Sequence, residues 1–414
     1  MRNPAFLWII VAILLVLEFY VFQAVKVVAP ASPRWRTGIF IAYWTFACII
    51  VLTLLLIPYL DYGNWPKPLR MYVFALIVAV FFSKLLASVF IAIDDLRRGS
   101  TWLITKIFSI PSVEITRGTT GITRSTFLSW MGIAVGSTLF GSLVYGFVNK
   151  YRYQVSRISL KYNNLPASFR GLRIVHISDI HAGSFMDRKA VERGIDKILQ
   201  EKPDIILFTG DLVNDRHTEM AEYKELFKRL QAPMGVYSTL GNHDYGDYVK
   251  WESREAKIDN LEKLKEIQKE MGWRLLMNEN VLLKKNEESI ALIGIENWSA
   301  KGNFPKYGKL EQAYAGTEST AFKILMSHDP SHWDAQVTKT YPDIDLMLAG
   351  HTHGMQFGVE IPGFKWSPVQ YVYPQWAGLY EQKNQKLYVN RGYGFIGYPG
   401  RVGILPEITV LNLV

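Results

Sequence analysis

Two histidines, one residue apart and flanked by glycines, suggest a metal site late in the chain. Residues 346–358 read L-M-L-A-G-H-T-H-G-M-Q-F-G. An apolar run that meets glycine at once is typical of a buried strand that enters a tight turn. In such a turn His351 and His353 can point at one spot, and neutral imidazole is the commonest metal ligand. A surface turn with two histidines is the alternative, so the prediction depends on further ligands elsewhere.

Four other short motifs carry polar side chains of the same kind. They are S-D-I-H at 178–181, T-G-D-L-V-N-D at 209–215, L-G-N-H-D at 240–244 and M-S-H-D-P at 326–330. The only cysteine is Cys48, so a cysteine-based metal site and an intrachain disulfide are excluded. Five of the eight histidines of the chain lie in these four motifs and the one at 346–358, which favours a single shared site. They are His181, His243, His328, His351 and His353.

Each motif follows a segment that is predicted to be a strand. Apolar runs predict strands over 172–178, 204–209, 235–240, 289–294, 322–326, 345–349, 386–390 and 408–411. Apolar residues at helical spacing predict helices over 188–200, 219–230 and 253–271. Strands that alternate with helices indicate a layered α/β domain. Functional groups in such domains collect where loops leave the carboxyl ends of strands, so the five motifs are expected to meet.

The N-terminal third has the composition of a membrane region. A span needs about 20 mostly apolar residues, and four stretches qualify, at about 6–25, 38–60, 71–93 and 127–148. A cleaved signal peptide is the alternative for the first stretch, but its length and the three spans that follow favour a retained helix. We therefore predict a transmembrane helical region over 1–150 and a separate domain over 151–414.

Two charged residues, Glu18 and Lys84, lie inside these spans. Charged groups within a bilayer are costly and tend to find partners. Lys84 is expected to reach the membrane interface with its long stem or to face a polar cleft. An ion pair between the two is the less favoured alternative, and their role stays open.

The net charge of +9 belongs almost entirely to the membrane region. Residues 1–150 hold 13 Lys and Arg against 5 Asp and Glu, whereas residues 151–414 hold 33 against 32. This balance argues against a nucleic-acid-binding surface on the second domain. Basic residues near the span ends number eight in the first and third loops, Arg117 included, against six on the other side, Arg2 included. The excess favours an extracytoplasmic second domain on a multi-pass membrane protein.

In this order, the five motifs resemble the calcineurin-like metallophosphoesterase superfamily. Its pattern is D-x-H, G-D-x-x-D, G-N-H-[ED], a lone His and G-H-x-H, and the resemblance covers about residues 170–414. The membrane region, together with V-N-R-G-Y-G at 389–394, is most similar to the membrane-associated bacterial branch. That branch includes exported phosphodiesterases and UDP-diacylglucosamine pyrophosphatases. The implied fold is a bundle of about four transmembrane helices followed by a layered α/β/β/α sandwich.

Two positions depart from the serine/threonine phosphatase branch of that superfamily. The branch has arginine and then glycine after the last Asp of the second motif, whereas here Asp215 is followed by Arg216 and His217. Asp244 stands where a glutamate is expected after the histidine of the third motif. Both differences argue against a protein-phosphatase activity.

The resemblance implies two divalent metal ions, of Mn, Fe, Zn or Co, and a hydroxide between them that attacks phosphorus in line. His243 would act as general acid on the leaving oxygen, and Asp244 would orient the site. The ligands of one ion would be Asp179, His181 and His353, those of the other Asn242, His328 and His351, and Asp211 would bridge the two.

The predicted function is that of a membrane-anchored, binuclear metal-dependent phosphohydrolase, either a phosphodiesterase or a pyrophosphatase. A site tethered to a lipid bilayer suggests a lipid-linked phosphate substrate. The alternatives are a phosphomonoesterase or nucleotidase on soluble substrates and a non-catalytic membrane sensor. A transporter would depend on Glu18 and Lys84 alone. The substrate, the metals and the oligomeric state stay open.

Four further polar residues receive structural interpretations. His176 lies on the first predicted strand and is expected in the core, and His332 is expected in packing or at the surface. His217 is expected away from the cleft, with a place at its mouth as the alternative. Arg391 is expected either in solvent at a strand end or in contact with substrate.

Overall fold

The described part of the chain divides into two compact units, Met1–Tyr145 and Gly146–Val414. A computed structural model describes residues 4–108, 123–302, 304 and 306–414. Arg2 and Arg117, which enter the charge count across the membrane, lie outside the described residues.

Four long helices account for the first unit and the start of the second. All four are long and apolar enough to cross a membrane, which confirms the predicted set of spans. Helix α3 continues well beyond the predicted span because its charged run stays helical, with Arg97 and Asp94 paired one turn apart at 2.9 Å. The helices are α1 Pro4–Val28, α2 Pro33–Leu56, α3 Lys67–Ile107 and α4 Arg124–Asn149.

The two charged residues within the spans form an ion pair between α1 and α3. Glu18 is fully buried and accepts from the ammonium of Lys84. The same ammonium lies 4.6 Å from the ring centroid of Tyr43. The expectation that Lys84 reaches the interface or faces a polar cleft is therefore wrong. A carboxylate within reach gives the buried ammonium the partner that a charge in an apolar environment requires.

Two six-stranded sheets form the body of the second unit. Its strands are β1 Gln154–Leu160, β2 Arg173–Ile177, β3 Ile205–Phe208, β4 Val236–Ser238, β5 Trp273–Leu275, β6 Glu279–Lys285, β7 Glu288–Gly294, β8 Lys323–Met326, β9 Leu346–Ala349, β10 Val359–Ile361, β11 Phe364–Trp366, β12 Gly378–Gln382, β13 Gln385–Val389 and β14 Glu407–Leu413. The strand orders are β1-β14-β2-β3-β4-β5 and β12-β13-β9-β8-β7-β6, and β10 pairs with β11 in a separate hairpin.

Apolar side chains from both sheets meet between them. Leu207 of β3 and Leu348 of β9 belong to one buried cluster with their neighbours on each sheet. The other face of the second sheet packs against Trp333 and Leu310. The helices of the unit are α5 Arg188–Gln200, α6 Lys224–Phe227, α7 Arg254–Glu270, α8 Leu310–Tyr314 and α9 Thr338–Thr340, and Trp333–Val337 forms a π-helix. The predicted α/β/β/α layering is confirmed.

Helix α5 illustrates how the local sequence builds the outer layer. The carboxylate of Asp187 accepts the backbone N–H of Ala190 at 3.0 Å, which caps the first turn. Val191, Ile195 and Ile198 then recur at helical spacing and are all buried. The helix therefore begins and ends where the sequence predicts.

Strand direction brings the polar loops together. Strands β2, β3 and β4 are parallel neighbours in the first sheet, and β8 and β9 are parallel neighbours in the second. Parallel neighbours release their following loops at the same edge of a sheet. The loops after these five strands carry the five motifs.

Candidate metal centre

One group of buried ligands combines the loops after β2 and β9. Asp179, His181 and His353 each offer an atom to a common point. The Nε2 atoms of His181 and His353 lie 3.0 Å apart, and Nε2 of His353 lies 3.3 Å from Oδ1 of Asp179. Donor atoms packed this closely in a buried place fit a bound cation.

A second group combines the loops after β3, β4, β8 and β9. Asp211, His328 and His351 form its core. Nδ1 of His351 lies 3.3 Å from Nε2 of His328 and 2.8 Å from Oδ1 of Asn242. The amide oxygen of Asn242 thereby joins the nitrogen and carboxylate donors.

Asp211, a member of the second group, also brings one oxygen close to the first group. Its Oδ2 lies 3.5 Å from Nε2 of His181 and 3.2 Å from Nε2 of His328. Burial by itself raises the pKa of Asp211, but the facing histidines, His328 foremost, hold it well below its usual range. The carboxylate is therefore charged and available to two cations at once.

Hydrogen bonds behind two of the histidines direct one nitrogen of each neutral ring toward a metal. Nδ1 of His328 donates to the carbonyl oxygen of Thr209 at 2.6 Å, and Nδ1 of His181 donates to Oδ1 of Asn214 at 3.1 Å. Each bond selects the tautomer whose Nε2 has no hydrogen.

His351 uses the opposite tautomer. Its Nε2 donates to the hydroxyl of Tyr373 at 2.9 Å, and that hydroxyl donates to Oδ2 of Asp329 at 3.2 Å. Nδ1 is then the free nitrogen, and it is the atom that faces His328 and Asn242. A carboxylate behind a ligating histidine raises its basicity and fixes the ring.

The protonation of three of the four rings suits a metal. Burial lowers the pKa of His351 and His353, and it lowers that of His181 well below the ordinary value. His328 differs: burial lowers its pKa, but the facing Asp211 outweighs burial and raises it to about 10, so metal binding there must release a proton. Neutral rings can ligate. Imidazole nitrogens, carboxylates and one amide oxygen form a mixed set that suits first-row transition metals, so the residues fit the predicted pair of divalent ions.

His243 stands beside the two groups and outside both. Its backbone N–H donates to Oδ1 of Asp211 at 2.8 Å, and its Nδ1 donates to the carbonyl oxygen of Asn214 at 2.8 Å. Its ring packs on Tyr248, with centroids 4.5 Å apart, and lies edge-on to His181 at 5.0 Å. The remaining Nε2 is free to exchange a proton.

Asp244 supports the site through the backbone. Its fully buried carboxylate accepts the N–H groups of Asp211 and Leu212 at 2.8 Å and that of Gly241 at 2.9 Å. Burial and the nearby Asp211 raise the pKa of Asp244 to about 7. The side chain therefore holds the loop that carries Asp211 and contacts none of the histidines.

Four side chains around the site lie outside the predicted set: Asn214, Tyr248, Asp329 and Tyr373. Tyr248 accepts from Nδ2 of Asn242 at 2.8 Å, which turns the amide oxygen toward His351. Asp329 lies in the M-S-H-D-P motif, which gave the signal that it belongs near the site. Its partner Tyr373 has no local motif that could have revealed it.

The backbone of the ligand loops is unusual. Five of the seven predicted ligands have left-handed conformations, with φ between 49° and 71°: Asp179, His181, Asp211, His351 and His353. Such residues cost about 1–3 kcal/mol each, and they concentrate at functional sites. The neighbouring position must be glycine, because a Cβ on Gly350 would lie 1.9 Å from Oγ of Ser178 and 2.2 Å from Oδ2 of Asp179.

The three remaining histidines have structural partners. His176 is buried, as predicted, with Nε2 2.9 Å from the hydroxyl of Thr209, and burial lowers its pKa to about 4. His332 is buried between Ser327 and Gln336. His217 contacts Asn260 of α7 through its backbone N–H and its Nδ1, which fits the interpretation away from the cleft.

The interpretation of Arg391 as a solvent-exposed residue at a strand end is wrong, and its contact with substrate stays a prediction. Its guanidinium is buried and donates to Glu407 at 2.7 Å and, through Nε, to Glu360 at 3.0 Å. Two carboxylates, from β14 and from the β10–β11 hairpin, pair with the charge and hold the side chain out of bulk solvent.

Comparison with known protein families identifies the chain. Residues 1–150 match the family model described as "Probable Calcineurin-like phosphoesterase, transmembrane domain", and residues 172–355 match the model "Calcineurin-like phosphoesterase". The chain belongs to the calcineurin-like phosphoesterases. The match of the first model to the four apolar helices makes this phosphoesterase an integral membrane protein.

Three curated relatives have descriptive names. "Transmembrane protein with metallophosphoesterase domain" of Danio rerio is 31% identical over 280 residues, which cover 65% of this chain and 60% of that protein. "UDP-2,3-diacylglucosamine pyrophosphatase LpxG" of Chlamydia trachomatis is 28% identical over 332 residues, 68% of this chain and 92% of the relative. "Phosphodiesterase YaeI" of Escherichia coli is 26% identical over 247 residues, 58% and 82% respectively.

Proposed function

We propose that this phosphoesterase is a binuclear metal-dependent hydrolase of phosphodiester or pyrophosphate bonds. The observation that carries the proposal is the position of Asp211, whose Oδ2 lies within 3.5 Å of a histidine from each ligand group. A carboxylate oxygen in that position would be shared by two cations if both ligand groups were occupied. Paired cations of this kind act in phosphatases and nucleases by clamping both the attacking and the leaving oxygen.

The chain supplies a complete set of ligands for two ions. When bound, such ions stabilise charge on phosphoryl oxygens and lower the pKa of bound water toward about 7. Asp179, His181 and His353 would hold one ion, and Asn242, His328 and His351 the other, with Asp211 shared between them.

His243 is the proposed general acid. Because its Nδ1 donates to a backbone carbonyl, a proton that this ring transfers would leave from Nε2. The contact of its backbone with Asp211 and of its ring with Tyr248 holds it beside the ligands. Proton transfer from such a group to the leaving oxygen is worth about 10²–10⁴-fold. Asp244 is a positioning residue that holds the Asp211 loop.

A lipid-linked phosphate is the proposed substrate. Four membrane-spanning helices keep the site on a lipid bilayer, and a pyrophosphatase of a diacylated sugar nucleotide is among the relatives. We place the second unit on the extracytoplasmic side because of the excess of basic residues in the first and third loops. Alkaline phosphatase fused after Val414 should be active and a fluorescent protein there should be dark; the reverse pair of results would place the unit in the cytoplasm.

A substrate panel tests the activity. The purified protein in detergent is given a bis-aryl phosphate, a nucleoside monophosphate and UDP-diacylglucosamine, with chelator or with added Mn²⁺, Fe²⁺, Zn²⁺ or Co²⁺. We expect cleavage of the diester and the pyrophosphate, and its loss with chelator. Cleavage of the monophosphate alone would identify a phosphomonoesterase. No cleavage by protein that holds two metals would identify a non-catalytic sensor.

A further inference from the structure

The β10–β11 hairpin has two chemically distinct faces. Its register pairs Val359 with Trp366, Glu360 with Lys365 and Ile361 with Phe364. Because side chains alternate between the faces of a strand, directly paired residues share a face. One face therefore carries four apolar side chains, and the other carries one acid and one base.

The polar face is the one turned toward the protein. Glu360 accepts from the buried guanidinium of Arg391. Nζ of Lys365 donates to the carbonyl oxygen of Ala377 at 2.5 Å and lies 4.6 Å from the ring centroid of Tyr380. Both charged side chains thus have partners inside the second unit, Glu360 an arginine and Lys365 a carbonyl oxygen and aromatic rings. The opposite face carries no charged side chain.

The apolar face is exposed. Ile361 is 58% and Phe364 55% accessible. Among the described residues after Lys150, six of the eleven exposed large hydrophobic side chains fall in 355–372: Met355, Val359, Ile361, Phe364, Tyr371 and Val372. Exposed apolar side chains concentrated in one segment mark an interaction site on the second unit.

Hydrogen bonds connect this hairpin to the point where the chain leaves the last membrane span. Within the second unit, the carbonyl oxygen of Gly146, in the final turn of α4, accepts the N–H of Arg401 at 2.9 Å. The next residue, Val402, donates to the carbonyl oxygen of Gln356 and accepts from the N–H of Gly358, both at 2.8 Å. Strand β10 begins at the following residue.

We propose that the apolar face of the β10–β11 hairpin inserts into the interfacial region of the phospholipid bilayer. The end of a membrane span lies one short segment away, and the two charged side chains of the hairpin have partners on its other face. Trp366 and Tyr371 are of the type that settles at membrane interfaces. At the base of the hairpin, Oγ of Ser367 donates to the carbonyl oxygen of Gly354 at 2.9 Å, next to the ligand His353. Insertion would therefore hold the metal-binding loop at the depth of lipid headgroups, where it could reach a lipid-linked phosphate. This consequence rests on the proposed function; the insertion itself does not.

Site-directed spin labelling tests the insertion directly, without any activity measurement. In the full chain, Cys48 is replaced by Ser, and a single cysteine is introduced by Ile361→Cys or, separately, by Phe364→Cys. Leu282→Cys is the matched control, because Leu282 is also an exposed apolar residue but lies on β6, at the opposite edge of the second sheet from β12. Each nitroxide-labelled protein is placed in nanodiscs of phosphatidylcholine and phosphatidylglycerol.

We expect labels at 361 and 364 to be relaxed by oxygen, which partitions into lipid, and protected from a water-soluble nickel chelate. The ratio of the two accessibilities should exceed that at 282 several-fold. Equal exposure of all three labels to the nickel chelate would overturn the proposal. Protection accompanied by dipolar broadening between labels, which disappears when the labelled protein is diluted with unlabelled protein, would assign the face to a second copy of the chain and also overturn it.

Discussion

Asp211 is the residue through which the two ligand groups depend on each other. Replacing it by asparagine keeps the shape and removes the charge that faces His181 and His328. We expect Asp211→Asn to abolish hydrolysis and to weaken the loading of both metals, because a neutral amide is a poor bridge between two cations. Elemental analysis and turnover of the purified variant measure the two effects. A variant that keeps both metals and near wild-type turnover would contradict the bridging role.

The role of His243 predicts a dependence on the leaving group. His243→Ala should reduce the hydrolysis of substrates with poor leaving groups by about 10²–10⁴-fold, since these need a proton in the transition state. Activated aryl esters leave without one and should lose much less. Turnover on matched alkyl and aryl phosphodiesters measures the difference, and an equal loss on both classes would argue against an acid.

Asp329 is expected to act on the metal through Tyr373 and His351. Asp329→Asn should weaken the affinity for one metal about 10–100-fold, as the loss of partners behind metal ligands generally does. Excess metal should restore turnover, which a merely misfolded variant would not allow. Asp334→Asn is the control, because Asp334 is exposed and bonds only to Gln375 among the described contacts. Metal titration of both variants checks the prediction; equal affinities would refute it.

Among the elements, the turn after β9 has the least room for change. Gly350→Ala would place a Cβ within 2.2 Å of Ser178 and Asp179 at the end of β2. The two sheets would have to separate locally, so we expect the loss of one metal and a destabilisation of about 1–3 kcal/mol, the range for overpacking a tight site. Gly141→Ala in α4 is the control, because a Cβ added there would have no neighbouring atom within 4 Å outside its own helix backbone. Thermal melting with metal analysis compares them, and retention of both metals by Gly350→Ala would count against the tight turn.

Sequence patterns revealed the elements that are buried on both faces. Strands such as β3, whose residues I-I-L-F are all buried, are continuous apolar runs, and the loops that follow them carried the ligands. The edge strands β1 and β6 were not predicted, because their exposed polar positions weaken the apolar pattern. The predicted helix over 219–230 is instead a 3₁₀ turn at His217–Met220 followed by α6. Glu219 there accepts three backbone N–H groups from 214–216 and so serves the preceding loop.

The candidate ligands could be located from sequence because each lies in a short motif after a strand. The side chains that hydrogen-bond to these ligands from behind could not be located in this way. The bond from His351 through Tyr373 to Asp329 joins residues 22 and 44 positions apart, and the turn of Asn242 by Tyr248 depends on a side-chain direction. Long-range partners of this kind leave no local periodicity. The ion pair of Glu18 with Lys84, which are 66 positions apart, was only the less favoured alternative for the same reason.

At the scale of the whole molecule, the two units should respond differently to metal removal. Bound metal stabilises only the state that holds the ligands together, by about 2.7 kcal/mol at a hundredfold excess over Kd. Chelator should therefore lower the melting temperature of the second unit and leave that of the membrane helices unchanged. Calorimetry in detergent measures this, with Asp211→Asn as the insensitive control. A uniform shift of the whole melting profile would be contrary to expectation.

The place of β14 in the first sheet determines when that sheet can close. This strand lies between β1 and β2, yet in chain order it follows every metal ligand. During translation, β1 is synthesised more than two hundred residues before β14, the strand with which it pairs. The ligand loops are synthesised onto an unfinished scaffold, so capture of the metals belongs to the last stage of biogenesis, after the chain has reached β14.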